Sequence, residues 1–250
     1  MRYLIVACLA IAIGVSAQTV QTSDAQAVLL AQQAFAALTR GTAVNDVTLN
    51  ATVISILGSD NETGTGTFSA KGMNESRIDL NLNGGTRSDV RNTSNGIPAG
   101  AWAKDSGAVT PYATHNCWVD AAWFFPALSS LTQTAHPNFI FKYVGLEQHR
   151  GVSVQHIRVL RTGVPVVTNT DFYLDAGTLL PSAIGFNLHA DNDLNTNVPN
   201  EIRFANYQLV NGIEIPFHFQ QISNGSVILD ATVTSATVNS GLVDSSFLLQ

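Results

Sequence analysis

The chain has 250 residues, with 12 lysines and arginines against 18 aspartates and glutamates, which gives a formal net charge of −6. An acidic chain without basic runs is a poor partner for nucleic acid or for anionic membrane surfaces, so we expect neither. Charged residues make up 12% of the chain, and Asn, Thr and Ser supply polarity in their place, as suits an exported, strand-rich protein.

The first predicted element is a secretory signal peptide at residues 1–17. Arg2 precedes an apolar run that ends at Val15, and Val15-Ser16-Ala17 offers the small residues of a cleavage site. A lipobox-like stretch ends at Cys8, but cleavage before Cys8 would leave almost no apolar region. We interpret that match as accidental. We expect a mature chain that starts near Gln18 and is periplasmic or secreted.

The remaining length predicts a single domain over residues 18–250, at the large end for an all-β fold. Removal of residues 1–17 takes Cys8 away, so Cys117 has no cysteine with which to form an intramolecular disulfide. No later segment is apolar enough to cross a bilayer as a helix. The fold must therefore be held by its own core, and we expect a monomer.

An amphipathic helix is predicted over residues 25–40. Ser23 or Asp24 can cap its first turn, and Gly41 can end it in a left-handed conformation. Apolar residues recur at helical spacing along one face, which must lie against an apolar surface. The residues of this stripe are Val28, Leu29, Ala31, Phe35 and Leu38.

After the helix the hydrophobic period changes to 2, which predicts strands. Gly64-Thr65-Gly66 and Gly84-Gly85 have the composition of hairpin tips. Towards the C-terminus, Asn211-Gly212 and Asn224-Gly225 are strong signals for type I′ hairpins, because both central residues need a positive φ. Such short connections require antiparallel pairing.

The middle of the chain, residues 114–134, is more aromatic than its surroundings, and we predict a short helical insert there. Pro126 suits the first turn of a helix on which Leu128 and Leu131 share a face. Together the elements predict a mostly β fold: an unclosed antiparallel barrel, or curved sheet, covered on its concave face by the N-terminal helix and this insert.

Cys117 lies between His115 and Asp120, and a thiolate nucleophile needs such a base and orienting group. A lone cysteine among aromatic residues is more often a small core hydrophobe, and we favour that interpretation. The six histidines are scattered and match no zinc motif. We therefore expect no catalytic residue, no metal and no cofactor.

Two Asp-containing stretches could be taken for functional sites. Residues 189–201 present oxygens at alternate positions, but Thr196 and Ile202 stand where a calcium loop needs glycine and a carboxylate, so we interpret the stretch as a solvated loop. Asp175 ends an aromatic run six residues before Pro181. We interpret it as a turn residue that accepts backbone N–H groups, with Gly177 taking an unusual φ.

Several turn and strand-end patterns occur in a recognisable order. Asp175–Pro181 reads D-x-x-T-x-L-P, and Tyr207–Phe217 reads Y-x-x-x-x-G-I-x-I-P-F. Tyr143, Gly145, Glu147 and Gly151 form Y-x-G-x-E-x-x-x-G, and the chain closes with Asn239 and Asp244–Phe247. In this order they resemble the superfamily of periplasmic lipoprotein carriers, which includes LolA-like, LppX-like and RseB/MucB-type proteins.

The resemblance implies a non-enzymatic protein whose half-barrel holds a lipid or acyl chain, with an envelope protein as a further partner. The tentative ligand-binding residues are Trp118, Trp123, Phe124, Phe125, Leu128, Leu131 and Phe35. Two alternatives stay open: these side chains line a cavity, or they fill it, which would suit a sensory or structural module with a protein partner. The chain is poor in Lys and Arg, so no lid or headgroup arginine is assigned.

Overall fold

One antiparallel sheet of thirteen strands dominates the computed structural model, which describes residues 21–105, 107–165 and 168–249. The predicted signal peptide lies outside the described residues. One α-helix, α1 (Ala25–Thr39), precedes the strands. The strands are β1 (Asp46–Leu57), β2 (Asp60–Lys71), β3 (Glu75–Leu82), β4 (Gly85–Ser94), β5 (Ile97–Lys104), β6 (Thr110–Pro111), β7 (Phe139–His149), β8 (Val152–Arg161), β9 (Thr168–Asp175), β10 (Pro181–Ala190), β11 (Asp193–Val210), β12 (Ile213–Ser223) and β13 (Ser226–Val238).

The sheet consists of two meanders joined in the middle. Its order is β6-β5-β4-β3-β2-β1-β13-β12-β11-β10-β9-β8-β7, so β1 pairs with β13, while β6 and β7 form the two edges. The sheet is curved and does not close into a barrel, as predicted. Because consecutive strands β6 and β7 lie at opposite edges, the chain between them must cross the open side.

The two Asn-Gly hairpins are confirmed. Asn211 and Gly212 have φ values of 50° and 86°, and Asn224 and Gly225 have 49° and 81°. These left-handed pairs join β11 to β12 and β12 to β13. Gly84-Gly85 likewise lies at the hairpin between β3 and β4.

The predicted hairpin tip at residues 64–66 is wrong, because this stretch lies inside β2. The glycines there serve close approach: a Cβ on Gly64 would lie 2.0 Å from the Asn81 carbonyl oxygen, and one on Gly66 would lie 2.8 Å from the Phe68 ring. A strand glycine often marks such a site. The turn between β1 and β2 comes earlier, at residues 58–59.

Helix α1 is confirmed, but its buried face differs from the predicted stripe. Leu29 is 53% exposed, and the fully buried face is made mainly of alanines. The buried residues are Ala27, Ala31, Ala34, Leu38 and Thr39. Small side chains let the helix approach β7, β8 and β12 closely. No helix among the described residues is long and apolar enough to span a membrane.

The predicted cap of α1 is also used differently. Asp24 stands at the N-cap, and its backbone carbonyl accepts from Val28 N–H at 3.0 Å, but its side chain accepts no N–H of the helix. Its carboxylate accepts instead from the Tyr143 N–H at 3.1 Å and from Lys142 at 3.1 Å, and the Ser23 hydroxyl accepts from Phe141 N–H. These groups therefore satisfy donors on edge strand β7. At the C-terminal end, Arg40 takes the first left-handed conformation and Gly41 follows it.

The sequence patterns that carry the family resemblance lie at a turn and at a contact between two parts of the sheet. Asp175 Oδ1 accepts from Gly177 N–H at 3.0 Å and Thr178 N–H at 2.8 Å, which confirms the turn. The prediction that Gly177 takes the unusual φ is wrong, because the residue with a positive φ in this turn is Leu179, at 60°. The Tyr207 hydroxyl donates to the Pro181 carbonyl at 2.7 Å, so two of the patterns meet in space.

Asp46, at the start of β1, holds the segment that follows β13. Its carboxylate accepts from Ser240 N–H and hydroxyl, Gly241 N–H and Leu242 N–H, at 2.8–3.4 Å. Burial acts to raise the pKa of Asp46, but these hydrogen bonds outweigh it and hold the pKa below its usual value. We expect Asp46→Ala to lower the free energy of unfolding by about 1–3 kcal/mol at neutral pH.

A lowered pKa in the folded state means that this stabilisation is present above the unfolded-state pKa of about 3.9 and is lost as pH falls. Urea unfolding across the acid range should therefore show the gap between wild type and Asp46→Ala closing below about pH 4. Asp60→Ala, at an exposed position, is the control. A gap that stays constant into strong acid would contradict the assigned role.

Candidate functional site

The segment between β6 and β7 crosses the concave face, as its edge-to-edge path requires. It contains three short 3₁₀ helices, at Thr114–Trp118, Pro126–Leu128 and Ser130–Thr132. The predicted single helix starting at Pro126 is wrong, because Ser129 is extended and separates Leu128 from Leu131. Repeated short turns let the chain follow the curved interior. We call residues 112–138, the connection from β6 to β7, the cross-link; the name refers to packing across the sheet and not to a covalent bond.

The cross-link fills most of the interior of the curved sheet. Phe124 contacts Phe68 edge-on with ring centroids 5.4 Å apart, and it stacks on Phe219 at 6.3 Å. Phe68 and Phe219 come from β2 and β12, and all three rings are fully buried. Trp123 packs edge-on against Phe124 at 5.6 Å. These rings join the two halves of the sheet through the cross-link.

The seven tentative binding residues do not share one environment. Phe124, Phe125, Leu128 and Leu131 are buried in the hydrophobic core, and Trp118 is buried beside Arg161. Phe35 is half-buried on α1. Trp123 is partly buried and lines an apolar cleft. The arrangement therefore combines both interpretations: most of these residues fill the interior, and Trp123 lines the space that remains.

Asp120 anchors the cross-link from within. Its Oδ2 accepts from the N–H and the hydroxyl of Ser130, both at 2.8 Å. Nearby, Arg161 of β8 donates to the Trp118 carbonyl at 3.0 Å and lies over the Trp118 ring at 4.9 Å. Burial raises the pKa of Asp120, and Ser130 and Arg161 offset only part of this effect.

The apolar cleft lies between Trp123 and the strands on both sides of β1. Its volume is about 320 Å³, at the small end of the roughly 300–1,000 Å³ usual for ligand sites. Trp102 is 41% exposed and stands at the cleft's open side. The apolar lining consists of Ile78, Leu80, Trp102, Ala103, Trp123, Leu188, Ile228 and Leu229.

One wall of the cleft is charged. Arg87, Asp89 and Arg91 alternate along β4 and therefore share the face that lines the cleft. Arg87 donates to the Ser55 hydroxyl at 2.9 Å and forms an ion pair with Glu62. Arg91 donates to the Asn116 carbonyl at 2.9 Å, so it also holds the cross-link.

Asp89 and Tyr112 form a partly buried pair beside Arg91. The Tyr112 hydroxyl donates to Asp89, and the Arg91 guanidinium lies 4.7 Å from the Tyr112 ring centre. Burial raises the pKa of Asp89, while Arg91 and the Tyr112 hydrogen bond act against this. A Cβ at Gly100 would lie 2.7 Å from Arg91 Cδ, so the glycine in β5 leaves room for the arginine.

Cys117 occupies the first 3₁₀ turn of the cross-link and is buried. Its thiol donates to the Ala113 carbonyl at 3.7 Å. Burial raises the pKa of this thiol, which disfavours the thiolate needed for nucleophilic attack. The geometry agrees with a core thiol.

The stretch at residues 189–201 contains less loop than predicted, because β11 begins at Asp193. Asp193 accepts from Asn195 N–H at 2.8 Å and from the Thr196 hydroxyl at 2.5 Å, as in a turn. Within residues 21–105, 107–165 and 168–249, no group of three or more His, Cys, Asp or Glu side chains is placed to hold a metal ion.

A second, polar depression of about 470 Å³ is lined by residues of β8–β12 and of the turns before β8 and after β12. Arg158 pairs with Asp171 at 2.8 Å, and Arg150 pairs with Glu201 at 2.8 Å. The His156 Nε2 lies 2.8 Å from Asp171. The acids and bases in this depression thus satisfy one another, which is typical of a structural ion-pair network.

No family model matches the sequence, and no curated protein matches it. Solved structures do match. A domain attributed to an outer membrane lipoprotein-sorting protein from Vibrio parahaemolyticus has a TM-score of 0.58 at 12% identity, covering 89% of this chain and 96% of that chain. A DUF1329 family protein from Desulfovibrio piger has a TM-score of 0.56 at 11% identity, covering 89% and 96%. A LolA superfamily protein from Nitrosomonas europaea has a TM-score of 0.53 at 8% identity, and the match covers 89% of this chain and 97% of that chain.

The described chain is therefore a curved-sheet protein with a helix and a cross-link on its concave face and a half-open apolar cleft beside them. Its fold is shared with the three structures compared above, one of which is named as a LolA superfamily protein, and this confirms the fold that the resemblance implied. The strand-borne residues of the cleft, such as Leu80 and Leu229, were missed. Period-2 alternation marks them as inward-facing, but it does not say which strands meet across the cleft.

Proposed function

We propose that the protein is an exported, non-enzymatic binding protein that holds a lipid or acyl chain in the apolar cleft. The observation that carries this proposal is the cleft itself: eight apolar side chains surround a space that the cross-link leaves unfilled. A ligand that buries roughly 200 Å² of apolar surface there would gain about 5 kcal/mol from the hydrophobic effect. No covalent chemistry is needed for such binding.

The fold supports the same proposal. The three structures compared above share this architecture, and two of them carry names from lipoprotein sorting or the LolA superfamily. The predicted signal peptide adds the expectation that the protein acts in the periplasm or outside the cell, in envelope lipid or lipoprotein trafficking. An envelope protein would then be a further partner.

A second candidate function is a sensory or structural module that binds a protein. The observation in its favour is the packed interior, where Phe124, Phe125 and Leu131 are completely buried. In this case the cleft would be a residual gap, and purified protein would contain no lipid.

The test is direct measurement of bound and added lipid. Mature protein is extracted with organic solvent for mass spectrometry, and medium-chain acyl ligands are titrated by calorimetry. Leu80→Trp places a larger side chain into the cleft and is expected to weaken binding at least tenfold. Leu146→Trp, at an exposed position on β7, is the matched control and should bind as the wild type does.

Both variants are first compared by thermal unfolding, so that a folding defect is recognised. Lipid-free extracts together with no calorimetric binding to wild-type protein would overturn the carrier function and favour the protein-binding module. Equal weakening by Leu80→Trp and Leu146→Trp would mean that the ligand binds elsewhere.

A further inference from the structure

Two arginines line the apolar cleft. The whole chain contains only 12 lysines and arginines, yet Arg87 and Arg91 both stand on the β4 wall of this cleft. A guanidinium in a half-enclosed apolar space is costly unless its charge and its N–H donors find partners. The partners of the two arginines therefore indicate what each of them does.

Arg87 has its partners within the protein. It forms an ion pair with Glu62 and donates to the Ser55 hydroxyl at 2.9 Å. The side chains of Arg87 and Glu62 are 22% and 19% exposed, so the pair is largely shielded from solvent. The charge of Arg87 is thus already matched.

Arg91 differs from Arg87. The described residues give its guanidinium one hydrogen bond, from Nη1 to the Asn116 carbonyl at 2.9 Å, and no ion pair. Its Nε–H is buried and finds no acceptor among them. Buried donors without an acceptor are rare in native proteins, and such a donor needs an acceptor from outside the chain.

The part of Arg91 that has no partner is the edge with which a guanidinium binds two oxygens at once. Arg158 of β8 shows this geometry in the same protein, because its Nε and Nη2 donate to the two carboxylate oxygens of Asp171 at 2.8 and 3.2 Å. Two parallel N–H groups of this kind match the oxygens of a carboxylate or a phosphate. On Arg91 the same Nε–Nη2 edge donates to no described residue.

Asp89 does not take this edge. Its carboxylate accepts from the Tyr112 hydroxyl, and the Arg91 guanidinium lies over the Tyr112 ring, 4.7 Å from the ring centre. Desolvation raises the pKa of Asp89, and Arg91 opposes this effect only in part. The β4 wall therefore keeps a positive charge that faces the same cleft as Leu80 and Trp123.

We propose that Arg91 binds the head group of the ligand and that this head is an anion with two or more oxygens, a carboxylate or a phosphate. The apolar part of the ligand lies against Leu80, Leu229 and Trp123, and the head meets the Nε–Nη2 edge of Arg91. This inference rests on the proposed function and specifies its substrate class.

Calorimetry of the mature protein tests the head group with three ligands that share one twelve-carbon chain: dodecanoate, dodecyl phosphate and monododecanoylglycerol, each below its critical micelle concentration. At least one anionic ligand is expected to bind about tenfold or more tighter than the uncharged one, as a hydrogen bond to a charged group predicts. The tighter anion tells a carboxylate head from a phosphate head. Binding of monododecanoylglycerol as tight as that of both anions would overturn the inference and leave the proposed function standing. If none of the three ligands binds, both fail.

A variant tests the assigned residue. Arg91→Gln is expected to weaken binding of the tighter anion by about tenfold or more, with little change for monododecanoylglycerol. Arg91→Lys keeps the charge but loses the two-donor edge, so it should restore only part of the affinity. The matched control is Arg203→Gln, which removes a partly buried arginine of β11 outside the cleft lining and should change neither affinity.

A purely structural role of Arg91 gives a different result. If Arg91 only held the cross-link through Asn116, Arg91→Gln would weaken the anionic and the uncharged ligands equally, and this would overturn the inference. Thermal unfolding of each variant, measured first, identifies a folding defect. If Arg91→Gln does not fold, Arg91→Lys and the three ligands on wild-type protein still decide.

Discussion

Replacing Phe124 with alanine is expected to lower the free energy of unfolding by about 3–5 kcal/mol, the usual cost of removing a buried aromatic ring. Phe124 has no exposed surface and touches Phe68, Phe219 and Trp123. These partners come from β2, β12 and the cross-link itself. Removal of the Phe124 ring would therefore leave a cavity between the elements that meet at the centre of the fold. Urea unfolding followed by tryptophan fluorescence measures the loss.

Phe124→Leu is the matched control, since it keeps most of the apolar volume and should cost clearly less than alanine. Trp102→Ala, at a 41% exposed position, controls for the loss of an aromatic ring in general. A loss for Phe124→Ala below about 1 kcal/mol would be far under the range for buried aromatic rings. It would show that the cross-link is not packed against the sheet as described.

Asp120→Ala is expected to lower the free energy of unfolding by about 2–5 kcal/mol. The change leaves two donors of Ser130 buried without an acceptor, and each such group costs about 1–3 kcal/mol. It also removes the carboxylate near Arg161. Hydrogen exchange of the Ser130 N–H, read by mass spectrometry or NMR, should become faster in the variant than in wild-type protein.

Asp120→Asn separates the hydrogen bonds from the charge, because its amide oxygen can still accept from Ser130. The raised pKa of Asp120 means that the folded state holds its proton more tightly than the unfolded state. Wild-type stability from this group therefore falls as pH rises through the folded-state pKa. Asp120→Asn should then be less costly at neutral than at acid pH. A cost that grows with pH would contradict the direction of this shift.

Much of the fold could be predicted because its signals are local. Asn211-Gly212 and Asn224-Gly225 specify hairpins through the conformational freedom of two neighbouring residues. The turn at Asp175 was recognised for a similar reason, although the left-handed residue is Leu179. The failure at Gly64-Thr65-Gly66 is equally instructive: the same glycines that permit a turn also permit close approach to the neighbouring strand β3.

The candidate site was predictable only in part. The aromatic composition of residues 114–134 correctly marked the segment that meets the concave face. Whether Phe124 and Trp123 fill or line the interior depends on the path of the cross-link, which no local pattern records. Arg87 and Arg91 were not assigned, because their alternation along β4 gains meaning only when that strand's inward face is known.

By itself, the sequence determined the strand-rich class, helix α1, the Asn-Gly hairpins and an order of turns that resembles that of LolA-like proteins. These features depend on backbone preferences and hydrophobic period over a few residues. Only the tertiary structure decided that β1 pairs with β13 and that β6 and β7 become opposite edges. Because the chain must then cross the open side, long-range packing and not local preference sets the filled interior, the small cleft and its charged wall.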